Sequence, residues 1–215
     1  MRLPSIVKAI GTLGLTPLRF SVRTGHARSS LARRALSARG EPIPWITYPA
    51  IDLLSNADLA GRRVLEFGAG QSTLWWLSRG VELISFEDDA TWVQRIRREI
   101  PQADIRLIDR DLHQYPDDLL DEHFDVVVID GLRRQAAAKI ARGVLAPSGC
   151  IIQDNSEGYW SDQPGRYEVV ELLSEFSRVD LYGFAPGALR RHCTSIYFRD
   201  TCFLFRNPKP PVRLD

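Results

Sequence analysis

Val64-Leu65-Glu66-Phe67-Gly68-Ala69-Gly70-Gln71-Ser72-Thr73 is the stretch on which the reading of this chain turns. Apolar Val64, Leu65 and Phe67 follow Arg62-Arg63 and precede two glycines, the pattern of a short strand buried in a sheet. Gly68 and Gly70 let the backbone turn sharply and pass close to a ligand. Ser72 is expected to cap a helix over 73–79, which Gly80 ends. A strand, a glycine turn and a helix N-terminus in succession build a nucleotide-type pocket at the carboxyl end of a sheet.

Two kinds of cofactor use such a pocket. A dinucleotide site asks for Gly-x-Gly-x-x-Gly with pyrophosphate on the helix N-terminus, and here the third glycine position is Thr73. Glu66 stands at the mouth of the strand, where a carboxylate repels pyrophosphate but suits a cation or a hydroxyl-rich ligand. S-adenosylmethionine carries a sulfonium, an ammonium and a ribose and no phosphate, so the block favours it over NAD(P). The bland alternative is an ordinary strand-to-helix turn whose glycines serve geometry alone.

Downstream, Glu82-Leu83-Ile84-Ser85-Phe86-Glu87 reads as a second strand ending in acids. Asp88 or Asp89 caps a helix over 90–100, in which Trp92, Ile96 and Ile100 recur at helical spacing, and Pro101 closes it. Glu87 is placed to accept both ribose hydroxyls of an adenosine. A weaker strand over 104–108 leads to Asp109-Arg110-Asp111, where an acid faces an adenine amino group or merely sits on the surface.

Phe124-Asp125-Val126-Val127-Val128-Ile129-Asp130-Gly131 is the clearest strand, with the β-branched run of a parallel strand buried on both faces. It delivers Asp130 to the edge that holds Glu66 and Glu87. A helix over 133–145, the turn Pro147-Ser148-Gly149 and a fifth strand over 150–153 bring Asp154-Asn155 there too. A polar and aromatic loop with Tyr159 and Trp160, a helix over 166–176, and strands near 179–184 and 195–205 complete the pattern, with His192 in the loop between the last two. Strand and helix alternate as in a doubly wound sheet, and right-handed crossovers gather the acidic strand ends on one rim.

The 215 residues, 44 % hydrophobic and 26 % charged, suffice for one domain with a full core. The net charge of +1 hides an asymmetry. Of the 28 lysines and arginines, eight lie in residues 1–40 without a single acid, leaving 20 against all 27 acids in the remainder, a net of −7. The acidic body argues against a nucleic-acid footprint. Cys150, Cys193 and Cys202 are odd in number and without paired spacing, as expected of reduced thiols in a cytoplasmic chain. Residues 6–18 are mildly apolar, too short to cross a bilayer and too weak for a signal peptide. A helix over 26–39 is expected to carry Leu31, Ala35 and Ala38 on one side; the arm is read as a solvated helix, a weak membrane-surface contact or a partner-binding segment. Three prolines stiffen the connector from Gly40, and Pro49 opens a helix over 49–54. Trp45 and Tyr48 either plug the domain edge or cover the pocket. The division expected is a basic helical extension with a Pro-rich connector, residues 1–44, and a catalytic domain, residues 45–215.

From Trp45 to Phe205 the chain resembles a class I S-adenosylmethionine-dependent methyltransferase, and within that class little-characterised bacterial methyltransferase-like proteins. The resemblance rests on Glu66-Phe67-Gly68-Ala69-Gly70, Glu87, Asp130-Gly131, and Leu145-Ala146-Pro147-Ser148-Gly149 before Asp154-Asn155. It implies an α/β, Rossmann-like sheet of seven strands, mostly parallel with the last antiparallel and helices on both faces. It also implies that Glu66, Gly68 and Gly70 hold the methionine end of the cofactor and Glu87 its ribose, with Ser72 and Asp130 beside them. Ser72 stands where the family often has glycine.

Asp130 with Asp154 and Asn155 resembles the metal-ligand set of catechol-type O-methyltransferases, and three oxygens would suit Mg²⁺. That family also carries a lysine soon after the strand-four Asp, where this chain has Leu132-Arg133-Arg134-Gln135, so Mg²⁺ is not favoured. Asp130 and Asp154 are the catalytic candidates, His192 and His113 alternative bases, and Tyr159 and Trp160 candidate pocket walls. The activity expected is methyl transfer to a small-molecule or glycan- or lipid-linked acceptor, at oxygen rather than elsewhere. The rivals are an NAD(P)-dependent oxidoreductase and a non-catalytic methyltransferase-like binding domain.

Overall fold

In the computed structural model, residues 5–109, 115–119, 121–131, 133–158 and 166–206 are described, the side chains of 166–168 excepted. His113, Tyr159, Trp160 and Asp111, for which the residue pattern suggests roles, lie outside them. Seven strands, β1 (Arg63–Phe67), β2 (Glu82–Glu87), β3 (Asp104–Leu107), β4 (Phe124–Ile129), β5 (Leu145–Gln153), β6 (Ser177–Phe184) and β7 (Arg191–Phe198), form one sheet in the order β3-β2-β1-β4-β5-β7-β6. All neighbours up to β5 pair in parallel, and β7 runs antiparallel to both β5 and β6. The doubly wound sheet with an antiparallel last strand is thus observed.

Side-chain alternation divides the core between the two faces. On one face, Val64, Leu83, Val126, Val128, Ile152 and Ile196 pack under α3 (Tyr48–Ser55) and α4 (Gln71–Ser78), whose Trp75 and Trp76 meet edge to face at 4.8 Å. On the other, Leu65, Phe67, Val127, Ile129 and Ile151 pack under α6 (Arg134–Val144) and α7 (Arg166–Leu172). On the first face, α5 (Ala90–Glu99) also covers β2 and β3 through Val93 and Ile96. Burying each such aliphatic side chain contributes roughly 1.5–3 kcal/mol, which is what makes the unbroken apolar run of β4 a central strand.

Several boundaries differ from expectation, each for a local reason. Gly70, not Ser72, is the residue before the first turn of α4, and Ser72 lies inside that turn. The helix expected over 26–39 is only α2 (His26–Ala32): Arg33 turns left-handed at φ 52°, and Ala35 is drawn into the core while Leu31 stays outside. The Pro147-Ser148-Gly149 turn is absorbed into β5 as an irregularity, Phe124 pairing with Leu145 and Val126 with Cys150. Gly149 is needed there, since a Cβ would meet the Asp125 carbonyl at 2.7 Å. The helix expected over 166–176 ends at Leu172. His192 belongs to β7 and not to a loop, and residues 203–205 form a separate turn of 3₁₀ helix. Ahead of the sheet, α1 (Ser5–Arg23) is one helix with no buried residue.

Candidate active site

Parallel strands bring their carboxyl ends to one rim, and there the acids of β1, β2, β4 and β5 collect. Glu66 pairs in register with Ser85, so Glu66 and Glu87 lie on the same face of the sheet. Glu66 is completely buried; its Oε2 accepts from Thr73 Oγ1 at 2.6 Å and from Ser85 Oγ at 2.7 Å. Its Oε1 and the Gln71 Oε1 are buried with no hydrogen-bond partner among the described residues. Burial pushes the Glu66 carboxyl above its ordinary range, and the hydroxyls of Ser72, Thr73 and Ser85 counter that.

Glu87 grips the glycine turn. Its Oε2 accepts from the Ala69 N–H at 3.1 Å, and its Oε1 from Asp88 and Asp89 N–H at 3.0 and 3.1 Å. Desolvation raises this carboxyl too. The Gly70 N–H donates to Thr73 Oγ1, so one threonine ties turn, helix and Glu66 together. Thr73 therefore does at the third glycine position what a glycine could not. The two glycines have different duties. Gly68 sits at φ 104° with the Gly131 nitrogen 3.0 Å from where a Cβ would be, whereas no described residue lies within 4 Å of a Cβ on Gly70. Above Gly70 there is open space for a ligand.

Asp130 and Asp154 follow β4 and β5 on the same face. The Arg134 guanidinium stands among the residues that resembled a metal set: it pairs with Asp130 Oδ1 at 3.6 Å, reaches Asn155 Oδ1 at 3.4 Å and bonds the Asp154 carbonyl. A guanidinium stays charged at any working pH, so a fixed monovalent cation already balances these oxygens. Asp130, Asp154 and Asn155 do not fit Mg²⁺ as they stand, and no cluster of three or more His, Cys, Asp or Glu fit for a metal occurs among the described residues.

Asp154 is 3 % exposed and its Oδ1 accepts from Thr194 Oγ1 at 2.8 Å; Asp130 keeps 28 % of its side chain open. Desolvation, then the Asp130 charge, pushes Asp154 up to about 8, against Thr194 and Arg134. Desolvation also takes Asp130 up to about 6, opposed by Arg134.

Beside these acids opens a cleft of about 410 Å³ lined by Trp45, Asp130, Asp154, Asn155, His192 and the loop 185–188. Trp45 and Tyr48 share the two roles between them: Trp45 lines the cleft and Tyr48 is core. The geometry adds a pair that residue reading had not assembled. Glu157 Oε1 lies 3.1 Å from His192 Nδ1, and Glu157 Oε2 accepts from the Cys193 N–H at 2.7 Å. A carboxylate held on Nδ1 orients the imidazole ring beside the cleft. The signal was faint, since 35 residues separate the partners.

With this geometry in view, solved structures supply the comparison. The O-methyltransferase TomG of Streptomyces achromogenes, involved in tomaymycin synthesis and solved with S-adenosylmethionine, superposes at TM-score 0.58 and 19 % identity over 83 % of this chain and 87 % of that one. An O-methyltransferase of Bacillus cereus in complex with S-adenosylhomocysteine gives 0.54 and 18 % over 89 % and 97 %. A TehB-like S-adenosylmethionine-dependent methyltransferase from Corynebacterium glutamicum gives 0.50 and 16 % over 69 % and 85 %. The fold is that of the class I S-adenosylmethionine-dependent methyltransferases. At these identities the likeness extends to the fold alone. No protein-family model and no curated protein matches the sequence.

Proposed function

We propose that this protein is an S-adenosylmethionine-dependent methyltransferase acting at oxygen on a small-molecule or glycan- or lipid-linked acceptor, from the cytoplasm, with residues 45–215 as its catalytic domain. The observation that carries this reading is the shared rim. Glu66 and Glu87 flank a glycine turn with open space over Gly70, and Asp130 and Asp154 of the same rim line the cleft holding His192. The two unpartnered oxygens, Glu66 Oε1 and Gln71 Oε1, fit an ammonium donor, and Glu87 fits ribose hydroxyls. A pyrophosphate would meet the negative charge of both glutamates instead, which disfavours NAD(P).

When bound, S-adenosylmethionine supplies an electrophilic methyl on a leaving group that departs as a neutral thioether. The chain does the rest by placement. Trp45 and the loop 185–188 hold the acceptor against the rim. His192, steered by Glu157, takes the hydroxyl proton. Asp130 at the cleft floor orients the acceptor and bears the charge of the neighbouring Arg134, and Asp154 backs it. We therefore place Asp130 and Asp154 beside His192 in the catalytic machinery.

Calorimetry tests the donor. Binding of S-adenosylmethionine and S-adenosylhomocysteine with none of NAD is expected; NAD binding alone would point to the oxidoreductase. Turnover with an acceptor pool tests the chemistry, and His192→Asn is expected to cost about 10²–10⁴-fold in kcat with donor affinity kept. Donor binding without turnover on any pool would favour a non-catalytic domain.

A further inference from the structure

The helix α1 supplies none of the residues that line the cleft beside the rim. None of its 19 residues is buried. Ile6, Ile10, Leu13 and Leu18 are 71, 66, 80 and 61 % exposed. At 100° per residue, Ser5, Lys8, Thr12, Thr16, Arg19 and Arg23 fall within a band of about 80°, while Ile6, Ile10, Leu13 and Leu18 lie on the other half of the helix. Such a broad apolar face with a narrow basic band, left open to water, calls for a cover.

We propose that α1 is an in-plane anchor that lays its apolar face into an anionic membrane surface. Charge selects this occupant. Residues 1–40 carry eight bases and no acid, and the remainder carries a net −7. An anionic surface attracts the arm, repels the body and so fixes which side of the molecule faces the lipid. A second copy of the chain would set two arms of the same sign against each other. No described helix is long and apolar enough to cross a membrane, so the geometry is that of a helix lying on the bilayer.

The foot of the helix is firmly attached. Phe20 packs against His26, Tyr48 and Phe184 at ring separations of 5.3, 5.4 and 6.0 Å. The Gly187 N–H donates to His26 Nδ1 at 3.2 Å, and Ser30 Oγ donates to the Gly187 carbonyl at 3.3 Å. Gly187 is in the loop that walls the His192 cleft. Arm and cleft wall therefore share one piece of backbone, and α2 extends the apolar surface with Leu31, 88 % exposed.

The test uses the full chain without cofactor, so its outcome is independent of the methyltransferase reading. Protein is floated with vesicles of phosphatidylcholine containing about one-third phosphatidylglycerol, and with pure phosphatidylcholine. Co-flotation with the mixed vesicles is expected, falling about tenfold on the neutral ones or on raising salt from about 0.1 to 0.5 M. Ile10→Glu and Leu13→Glu are each expected to lose about tenfold, and Lys8→Glu with Arg19→Glu a similar factor. The melting temperature should not move in any of them, because no α1 residue is buried. Unchanged flotation of these variants would overturn the proposal, as would the absence of vesicle binding. So would an arm-dependent dimer in light scattering that ignores lipid.

Discussion

Two glycines a single residue apart have opposite liabilities. Gly68 needs its left-handed backbone and lies hard against Gly131, so Gly68→Ala is expected to lower stability by about 1–3 kcal/mol in chemical denaturation. Gly70→Val should melt close to the wild type but lose S-adenosylmethionine binding in calorimetry, since its side chain would fill only the open space over the turn. Asp154 gives a prediction in pH. Burial raises its folded value from 3.8 to about 8, so the ionised form is the one folding disfavours. Its contribution is most favourable below pH about 4 and is lost as pH rises towards about 8. Asp154→Asn should then gain about 1–3 kcal/mol on the wild type across that window, read as the difference between two pH–stability curves. The meeting of Glu66, Glu87, Gly68 and Gly70 at one rim was legible in the sequence because each is local to a strand end. Arg134 among Asp130, Asp154 and Asn155, and Glu157 on His192, were not. Both depend on contacts across the sheet that spacing along the chain does not encode.

The strands and helices were largely legible as well, because β4 and α5 announce themselves by apolar period and caps. Asp89 does accept from Thr91 and Trp92 N–H, as its place before α5 suggested. What escaped was decided by packing. The Pro147-Ser148-Gly149 stretch has turn chemistry but is recruited into β5 by the ladder of β4. The arm beyond Ala32 has helical composition, yet Ala35 is wanted in the core and the bridge from Leu36 to Pro42 holds it extended. Contact between α3 and β6 is another non-local feature. Thr47 Oγ1 donates to the Leu181 carbonyl at 3.0 Å, and a Cβ on Gly183 would meet Pro49 Cδ at 2.6 Å. Gly183→Ala should push α3 away from the sheet and cost about 1–3 kcal/mol, seen as a lower melting temperature with the fold retained.

Across the protein, the fold class followed from the alternation of elements, and the gathering of acids on one rim from the order of the strand ends. The cleft beside that rim did not follow, for it is built where three distant segments meet: Trp45, the 154–157 turn and the 185–192 region. One topological fact explains that meeting. Because β7 runs against its neighbours, its first residues arrive at the rim where the parallel strands finish, Ser195 already lying opposite Gln153. The hairpin from β6 to β7 thus supplies the wall of the cleft opposite Asp130 and Asp154. Grafting residues 185–190 from a relative of different acceptor preference is expected to redirect product formation, measured by mass spectrometry, while leaving donor affinity where it was. A strand that runs backwards into the rim lets a change of loop length reshape that wall without interrupting the ladder between β4 and β5.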